Sequence, residues 1–335
     1  MKRIMVTAII LILFTTNSAL AHPGRTDGSG GHTCRTNCEK WGLDQGEYHY
    51  HNGGSTKAPA PAPSKPSSKS SAVLKADKLK PPAKGKLSVY FLNVGQGDAT
   101  FIKTAAGDDI LIDGGKNEAG NIVVNYLKQL GVDDIEVMIS THPDADHVGG
   151  LDTVLKSYKV ESVYAPKVSH TTDTFKDFLL AVKNEGRTIK EAKANVSLQL
   201  KGVTATFVAP VKTYGDDLNE WSAVLHLTYG KNSFLFTGDA EYKSEGDMIG
   251  SSQILKADVL KVGHHGSKSS TSTKFLEVVG PKYAVISVGK NSYGHPTKEI
   301  LNLLKSKKVT TYRTDLNATV TAVSDGKTIS FIKVK

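Results

Sequence analysis

Cysteine is nearly absent from this chain: there are two, Cys34 and Cys38, in 335 residues. Both precede the long C-terminal portion, so no disulfide framework can hold that portion together and its stability has to come from an apolar core. Long hydrophobic runs are missing as well. The run Ile4 to Phe14 falls short of the roughly 20 residues that cross a bilayer, and no later stretch could span one. Charge of one sign is scarce where it would matter most. Of the formal +9, residues 1–21 carry +2, residues 22–54 carry −1, residues 55–84 carry +6 and residues 85–335 only +2. The near-neutral C-terminal portion therefore offers no electrostatic argument of its own for a nucleic-acid partner.

What is present divides the chain into four parts. Lys2 and Arg3, the apolar run and Ala19-Leu20-Ala21 have the layout of an export signal over residues 1–21, cleaved after Ala21. The mature protein is then expected to be secreted or extracellular, soluble or loosely held at the cell surface, with no stable membrane span. Residues 22–54 are rich in Gly, His and Tyr and too poor in aliphatic side chains to bury a core. Their His22, His32, Cys34, Cys38, His49 and His51 allow a structural metal, a Cys34–Cys38 disulfide or neither. Residues 55–85 are dominated by Pro, Ala, Ser and Lys, including Ala58-Pro59-Ala60-Pro61-Ala62-Pro63, and read as an extended linker. Its lysines could touch anionic cell-wall polymer, or simply keep the spacer solvated.

From residue 86 onward the hydrophobic period switches repeatedly between two and 3.6. Strands are expected at 87–93, 99–103, 109–112, 134–139 and 160–164, with helices at 119–130, 148–157 and 172–184. Further strands follow at 196–201, 203–208, 223–229, 232–237, 257–262, 283–287, 309–313, 317–323 and 328–333, with helices at 271–278 and 297–306. Hairpins mixed with helical crossovers predict an α+β domain of sheet layers covered by helices.

The chemistry sits at strand ends. Strand 134–139 runs into His142-Pro143-Asp144-Ala145-Asp146-His147-Val148-Gly149-Gly150, which puts two imidazoles and two carboxylates within six residues. Such a mixture suits Zn, Mn or Fe, and with donors from elsewhere it can hold one or two ions. Pro143 fixes a dihedral in this loop, and Gly149-Gly150 lets the next helix approach closely. Phe234-Leu235-Phe236-Thr237-Gly238-Asp239 delivers another carboxylate, Val259 to Val262 delivers Gly263-His264-His265-Gly266-Ser267, and a further imidazole lies in Tyr293-Gly294-His295-Pro296. A single His or Asp after a strand is commonly a cap or a solvated turn residue. This concentration of them is not.

With Asn93-Val94-Gly95-Gln96-Gly97-Asp98 and Leu111-Ile112-Asp113-Gly114-Gly115 added to these segments, residues 86–335 resemble metallo-β-lactamase-fold hydrolases. The closest likeness is to the extracellular hydrolase domain of bacterial competence DNA-uptake channel proteins. The resemblance implies a four-layer αββα sandwich with divalent metal, Mn or Zn, at one edge. It implies that His142 and Asp144 serve a first ion, Asp146 and His147 a second, that Asp239 bridges and that His264 or His265 completes the second position. Asp144 stands where the wider superfamily usually has His, which favours a harder cation such as Mn. The His that normally lies between the main motif and Asp239 is replaced by Asn219; His226, the only imidazole in 171–238, is as readily a side chain on a sheet.

The resemblance further implies attack of metal-activated water on a phosphodiester, with Asp146 orienting the water and His264, His265 or His295 contacting the substrate or its leaving oxygen. Extracellular DNA is the expected substrate. Other phosphoesters, such as wall polymers or nucleotides, come next, and lactones, thioesters and β-lactams after them. A surface or nucleic-acid-binding protein without turnover is the competing reading. Residues 22–53 resemble a short secreted module named for its Tyr48-His49-Tyr50-His51 run, which would serve attachment.

Overall fold

The computed structural model describes residues 75–333 and, in addition, the backbone of 31–33 and 48–50. The chain separates into two units, Met1–Lys69 and Ser70–Lys335. In the first, strands β1 (Gly31–Thr33) and β2 (Tyr48–Tyr50) pair antiparallel with His32 opposite His49. The export signal, both cysteines and linker residues 55–74 lie outside the described residues.

In the second unit β3 (Leu87–Phe91), β4 (Thr100–Lys103) and β5 (Asp109–Ile112) form an antiparallel meander. Helix α1 (Gly120–Gln129) then crosses to β6 (Ile135–Ile139), α2 (Ala145–Val148) and α3 (Leu151–Leu155) lead to β7 (Val160–Ala165), and α4 (Asp173–Asn184) leads to the short edge strand β8 (Ile189–Glu191). Strands β5 to β8 pair in parallel. A second antiparallel set, β9 (Thr204–Ala209), β10 (Val224–Tyr229) and β11 (Asn232–Phe236), opens the other sheet. It continues in parallel through α5 (Tyr242–Gly250), β12 (Val259–Lys261), α6 (Thr273–Val279), β13 (Tyr283–Ile286), α7 (Lys298–Ser306) and β14 (Thr310–Arg313). A one-turn helix α8 (Thr314–Asn317) returns the chain to the first sheet, where β15 (Val320–Ser324) and β16 (Ile329–Lys333) extend its other edge beyond β3.

The layering follows from the period of two along each strand. Leu87, Val89 and Phe91 of β3, Ile110 and Ile112 of β5, and Val137 and Ile139 of β6 share one core with Phe207, Leu225, Phe234, Phe236, Val259 and Val285 of the second sheet. The alternate residues Tyr90, Phe101, Leu111 and Met138 face the other way, onto Val123, Tyr126 and Leu127 of α1, Val154 of α3 and Phe178 of α4. Likewise Leu235, Leu260, Ala284 and Ile286 pack on Met248, Phe275, Leu276, Ile300 and Leu304 of α5, α6 and α7. Helix, sheet, sheet and helix are thus stacked in the four-layer αββα order expected of the sequence.

Five local differences separate the structure from the expectation. Residues 196–201 contribute only an isolated bridge, Ser197 to Thr206, rather than a strand. β8 reads Ile-Lys-Glu and is too short and exposed to show alternation. α5 carries a central Gly246 and buries Ser244 and Glu245 beside Met248, so it has no apolar stripe. The single helix expected at 148–157 is interrupted at Gly149-Gly150, where a Cβ on Gly150 would run into the carbonyl of Gly114 and the backbone of Gly120. Residues 75–85, which composition assigns to the linker, are docked: Leu79 is buried on the α1 side. The Asp77 carboxylate accepts from the Tyr126 hydroxyl and from Thr319 N and Oγ1 at 2.8–3.0 Å.

Asp109 at the start of β5 is buried, pairs with Lys103 Nζ at 2.8 Å and leaves Oδ1 without a partner. Burial pushes its carboxyl up to about 7, against the pull of Lys103. A carboxyl whose folded value exceeds its unfolded value of about 3.9 stabilises the fold below pH 4 and loses that contribution as pH rises through 7. Asp109→Asn is therefore expected to gain on the parent by about 1 kcal/mol or more between pH 4 and pH 8, read as the difference in urea-unfolding free energy at the two pH values.

Candidate metal centre

The polar residues gather where the carboxyl ends of the parallel strands in both sheets meet, the ordinary location for function in open α/β layers. β5 delivers Asp113, β6 delivers Thr141 and His142, β11 delivers Asp239, and β12 delivers Lys261 followed by His264 and His265. The loop after β3 supplies Asp98, whose backbone N donates to the carbonyl of Asp146 at 3.1 Å. Gly97 makes that approach possible: its φ is +135°, and a Cβ there would strike the Asp146 carbonyl. Asp113 (φ 59°), His264 (φ 44°) and His265 (φ 51°) all adopt left-handed backbone, at a cost of order 1 kcal/mol each that sheet packing has to overcome.

Each buried imidazole has its Nδ1 occupied. His147 Nδ1 donates to Asp113 Oδ2 at 2.8 Å, His265 Nδ1 donates to the Ser287 carbonyl at 2.9 Å, and His142 Nδ1 donates to Thr141 Oγ1 at 3.1 Å. Thr141 is itself tied to Asp113 by its N and its hydroxyl at 2.8 and 2.7 Å. The tautomers so fixed leave the Nε2 atoms of His142, His147 and His265 buried, without hydrogen-bond partners and with lone pairs available.

Those lone pairs converge with carboxylate oxygens. Asp239 Oδ2 lies 3.2 Å from His147 Nε2 and 3.3 Å from His265 Nε2, and Asp146 lies 3.3 Å from His265 Nε2 and 4.0 Å from His147 Nε2. Donors about 2.1 Å from a tetrahedral cation stand roughly 3.4 Å apart, so Asp239 stands at that spacing from both His147 and His265, and Asp146, His147 and His265 form one convergent group. His142, His147 and Asp239 form a second convergent group, and Asp98 joins others with Asp113 and His147 or with Asp239 and His265. The residues fit a divalent cation.

The electrostatics show what such a cation would relieve. Lys261, 1% exposed, extends from β12 between the sheets. Its Nζ donates to the Gly238 carbonyl at 2.9 Å, pairs closely with Asp98 Oδ2 and lies 3.7 Å from Asp239 Oδ1. Burial works against every charge here. It is overcome at Asp98 by Lys261 and at Asp239 by His147 and His265, so both carboxyls stay below the usual range. Burial likewise opposes the charge on His265, yet Asp239, with the Asp146 and Asp98 carboxylates each 3.3 Å away, pushes it up to about 10. Carboxylates that raise the proton affinity of an imidazole this far attract any cation, metal included.

The other residues singled out from the sequence lie around this group. Asp144 Oδ2 is 3.5 Å from His142 Nε2, on the more exposed side. His264 Nδ1 donates to Glu241 Oε1 at 2.7 Å, and its Nε2 is 3.8 Å from Asp239 Oδ2. Of the histidine pair, the convergent groups include His265 and not His264. Asn219 is turned toward Glu241 and His264, at 3.4 and 3.5 Å from its Nδ2, and its buried Oδ1 has no partner. His226 is held on β10 by the Lys256 carbonyl. The His295 ring lies edge-on to His264, 5.3 Å between centroids, with Nδ1 buried and unpartnered; burial and the charges of His264 and His265 lower it to about 4.

Sequence reasoning gave no role to Asp98, Asp113, Thr141, Glu241 or Lys261. The signal for Lys261 was a charge in the middle of the apolar strand Val259-Leu260-Lys261-Val262, which needs a buried partner.

The layers and the donor set define a metal-dependent hydrolase. Residues 92–290 match the family model for the Metallo-beta-lactamase superfamily, and the chain belongs to that family. It is 33% identical over 250 residues to ComE operon protein 3 of Bacillus subtilis, covering 69% of this chain and 32% of that protein. It is 34% identical to Recombination protein 2 of Haemophilus influenzae (65% and 26% covered) and 31% identical to Competence protein ComA of Neisseria gonorrhoeae (69% and 31% covered). The chain thus spans about a third or less of the length of these relatives.

Asp113 fixes His147 and Thr141, its Oδ2 accepting from both side chains. Asp113→Asn should weaken divalent-metal binding about 10–100-fold while leaving the fold intact. Titration against a chelating dye reads this directly, and an unchanged affinity would show that sheet packing alone orients His147.

Proposed function

We propose that the protein is an exported, metal-dependent phosphodiesterase that cleaves extracellular DNA. The observation that carries this reading is the acid-rich donor set: Asp98, Asp113, Asp146 and Asp239 surround three imidazoles, and Asp144 stands beside His142. Carboxylate donors suit hard cations such as Mn and the phosphoryl oxygens such cations bind. The competence and recombination names of the relatives point to DNA and to the cell envelope or beyond. No helix among the described residues is long and apolar enough to cross a membrane.

A divalent ion at these residues supplies Lewis acidity toward the phosphate and lowers the pKa of water. The chain's own groups do the rest. Asp146 accepts a hydrogen bond from the attacking water and sets its line of approach to phosphorus. As the water oxygen bonds to phosphorus and the ester P–O bond breaks, a proton must reach the leaving oxygen. His295, beside His264 and neutral near pH 7, can hydrogen-bond that oxygen through its ring while the proton itself comes from solvent. Glu241 holds His264 through Nδ1, so its Nε2 faces substrate. The seam between the sheets keeps bulk water from the buried carboxylates, which strengthens each interaction.

The test is hydrolysis of single- and double-stranded DNA and of bis-p-nitrophenyl phosphate by metal-stripped protein resupplied with Mn or Zn. Turnover should return with metal and drop roughly a hundredfold or more in Asp146→Ala. Cleavage of the small diester alone would move the substrate to another phosphoester, such as a wall polymer or nucleotide. One observation favours a second reading: Asn219 replaces an imidazole and is turned toward Glu241. Metal binding and DNA binding without any turnover would make the chain a binding protein.

A further inference from the structure

Three of the loops that bring residues to the metal centre have a second face. Asp98 is preceded by Val94, Gly95 and Gln96, Asp113 is followed three residues later by Lys116, and His295 shares a loop with Lys290. All five of these neighbours line one cavity of about 1140 Å³, whose remaining wall includes Asn121, Asn125 and Lys128 of α1 and Lys75, over an apolar floor of Ala76, Ala119 and Ile122. The loops are locked to one another: Gly115 N donates to the Asp98 carbonyl at 2.7 Å, Gly289 N to Gln96 Oε1 at 3.3 Å, and Asn291 Nδ2 to the His295 carbonyl at 2.8 Å. The cavity and the centre are therefore two sides of the same three loops. Gln96 is two residues from Asp98 and Lys116 three from Asp113, which bounds the separations along the chain at about 7 and 11 Å.

The cavity has its own chemistry. Lys75, Lys116, Lys128 and Lys290 meet a single acid, Glu118. None of the four lysines takes part in a salt bridge among the described residues, whereas Lys103, Lys156 and Lys261 all do. The domain as a whole is nearly neutral, so this is a local positive field rather than a share of a general one. Asn121 and Asn125, one helical turn apart on α1, add amide donors and acceptors of the kind that meet base edges.

We propose that this cavity is the seat of the nucleic-acid strand flanking the scissile bond. Resting on the phosphodiesterase reading above, it names the part of the substrate that the chain grips: a single strand leaving the metal centre over Gln96 and Lys116, its phosphates on the lysines and its bases against the α1 amides. A strand with a phosphate every few ångströms reaches the cavity within a few nucleotides. A chain of phosphates without bases would use the lysines and leave Asn121 and Asn125 idle, which is why nucleic acid is the occupant favoured here.

The experiment uses the full chain carrying Asp146→Ala and a fluorescently labelled single-stranded oligonucleotide, with anisotropy followed between about 50 and 200 mM salt. Adding Lys116→Gln with Lys128→Gln should weaken binding about tenfold at the lower salt and reduce the slope of log affinity against log salt by about 1.4, two single-strand phosphate contacts' worth. A control pair on the opposite helix layer, Lys274→Gln with Lys305→Gln, removes the same charge and should leave the slope unchanged. Equal effects of both pairs, or none from the cavity pair, would overturn the assignment. Competition by inorganic polyphosphate as strong as by unlabelled oligonucleotide would overturn it too, in favour of a groove that reads charge alone. The outcome separates from that of the catalytic reading: an enzyme that cleaves oligonucleotides with a salt slope indifferent to Lys116 and Lys128 defeats this inference alone. A protein that neither binds nor cleaves them defeats both.

Discussion

Burying carboxylates beside one another is the constraint on which this molecule turns. Asp98, Asp113 and Asp239 are all at most 4% exposed, in a seam where charges interact several times more strongly than in water. Uncompensated, such a cluster would take up protons and lose its negative charge, or force the sheets apart. The fold contributes one permanent cation, Lys261, which answers Asp98 and part of Asp239. The remaining charge is met by imidazoles whose Nε2 lone pairs face the same point. Those nitrogens can carry protons shared with the carboxylates or can ligate a cation, and the second arrangement ties lone pairs and carboxylates to one ion.

That arrangement explains why backbone strain collects at these positions. Asp113, His264 and His265 take left-handed conformations because each must turn its side chain back across the end of its own strand toward a common centre. Packing on both sides of the sheets makes this tolerable. The core shared by Phe91, Ile139, Phe207 and Phe236 fixes the strand ends from within, and α1 with α3, or α6 with α7, fixes them from outside. Thr141 shows the economy of the design: its backbone and hydroxyl both go to Asp113, and the hydroxyl oxygen also holds His142, so one carboxylate orients two imidazoles.

Much of the fold was legible in the sequence, because the pattern that defines it is local. Leu111, Ile112 and Met138, Ile139 alternate between two cores, and the alternation alone announces sheets covered on both faces. Elements escaped where that signal is absent: α5 buries Ser244 and Glu245 rather than an apolar stripe, and residues 75–85 dock through Asp77 and Leu79 amid lysines and prolines. The centre was legible to the extent that its donors follow strands in compact motifs. Asp98, Asp113 and Lys261 were not assigned roles, since their functions exist only across the sheet interface. Asp98 meets Lys261 and His265 across more than 160 residues of chain, a relation that no local pattern encodes.

The donors around His265 and those around His142 are unequally fixed, for a reason that can be followed through the side chains. Asp146, His147 and His265 form one convergent group, Asp239 lies against both imidazoles, and each imidazole is oriented by a second partner. Around His142 the supply is thinner. Asp144 is more exposed, and the Asn219 amide nitrogen donates to Glu241 at 3.4 Å. Glu241 gathers more than Asn219. Its carboxylate, kept below the usual range despite burial by bonds from His264 and Ser269, collects His264, Ser269 and Asn219 into a single network. The same carboxylate that aims His264 also holds the Asn219 amide nitrogen and leaves Asn219 Oδ1 buried and without a partner, so Glu241 fixes the orientation of both side chains at once.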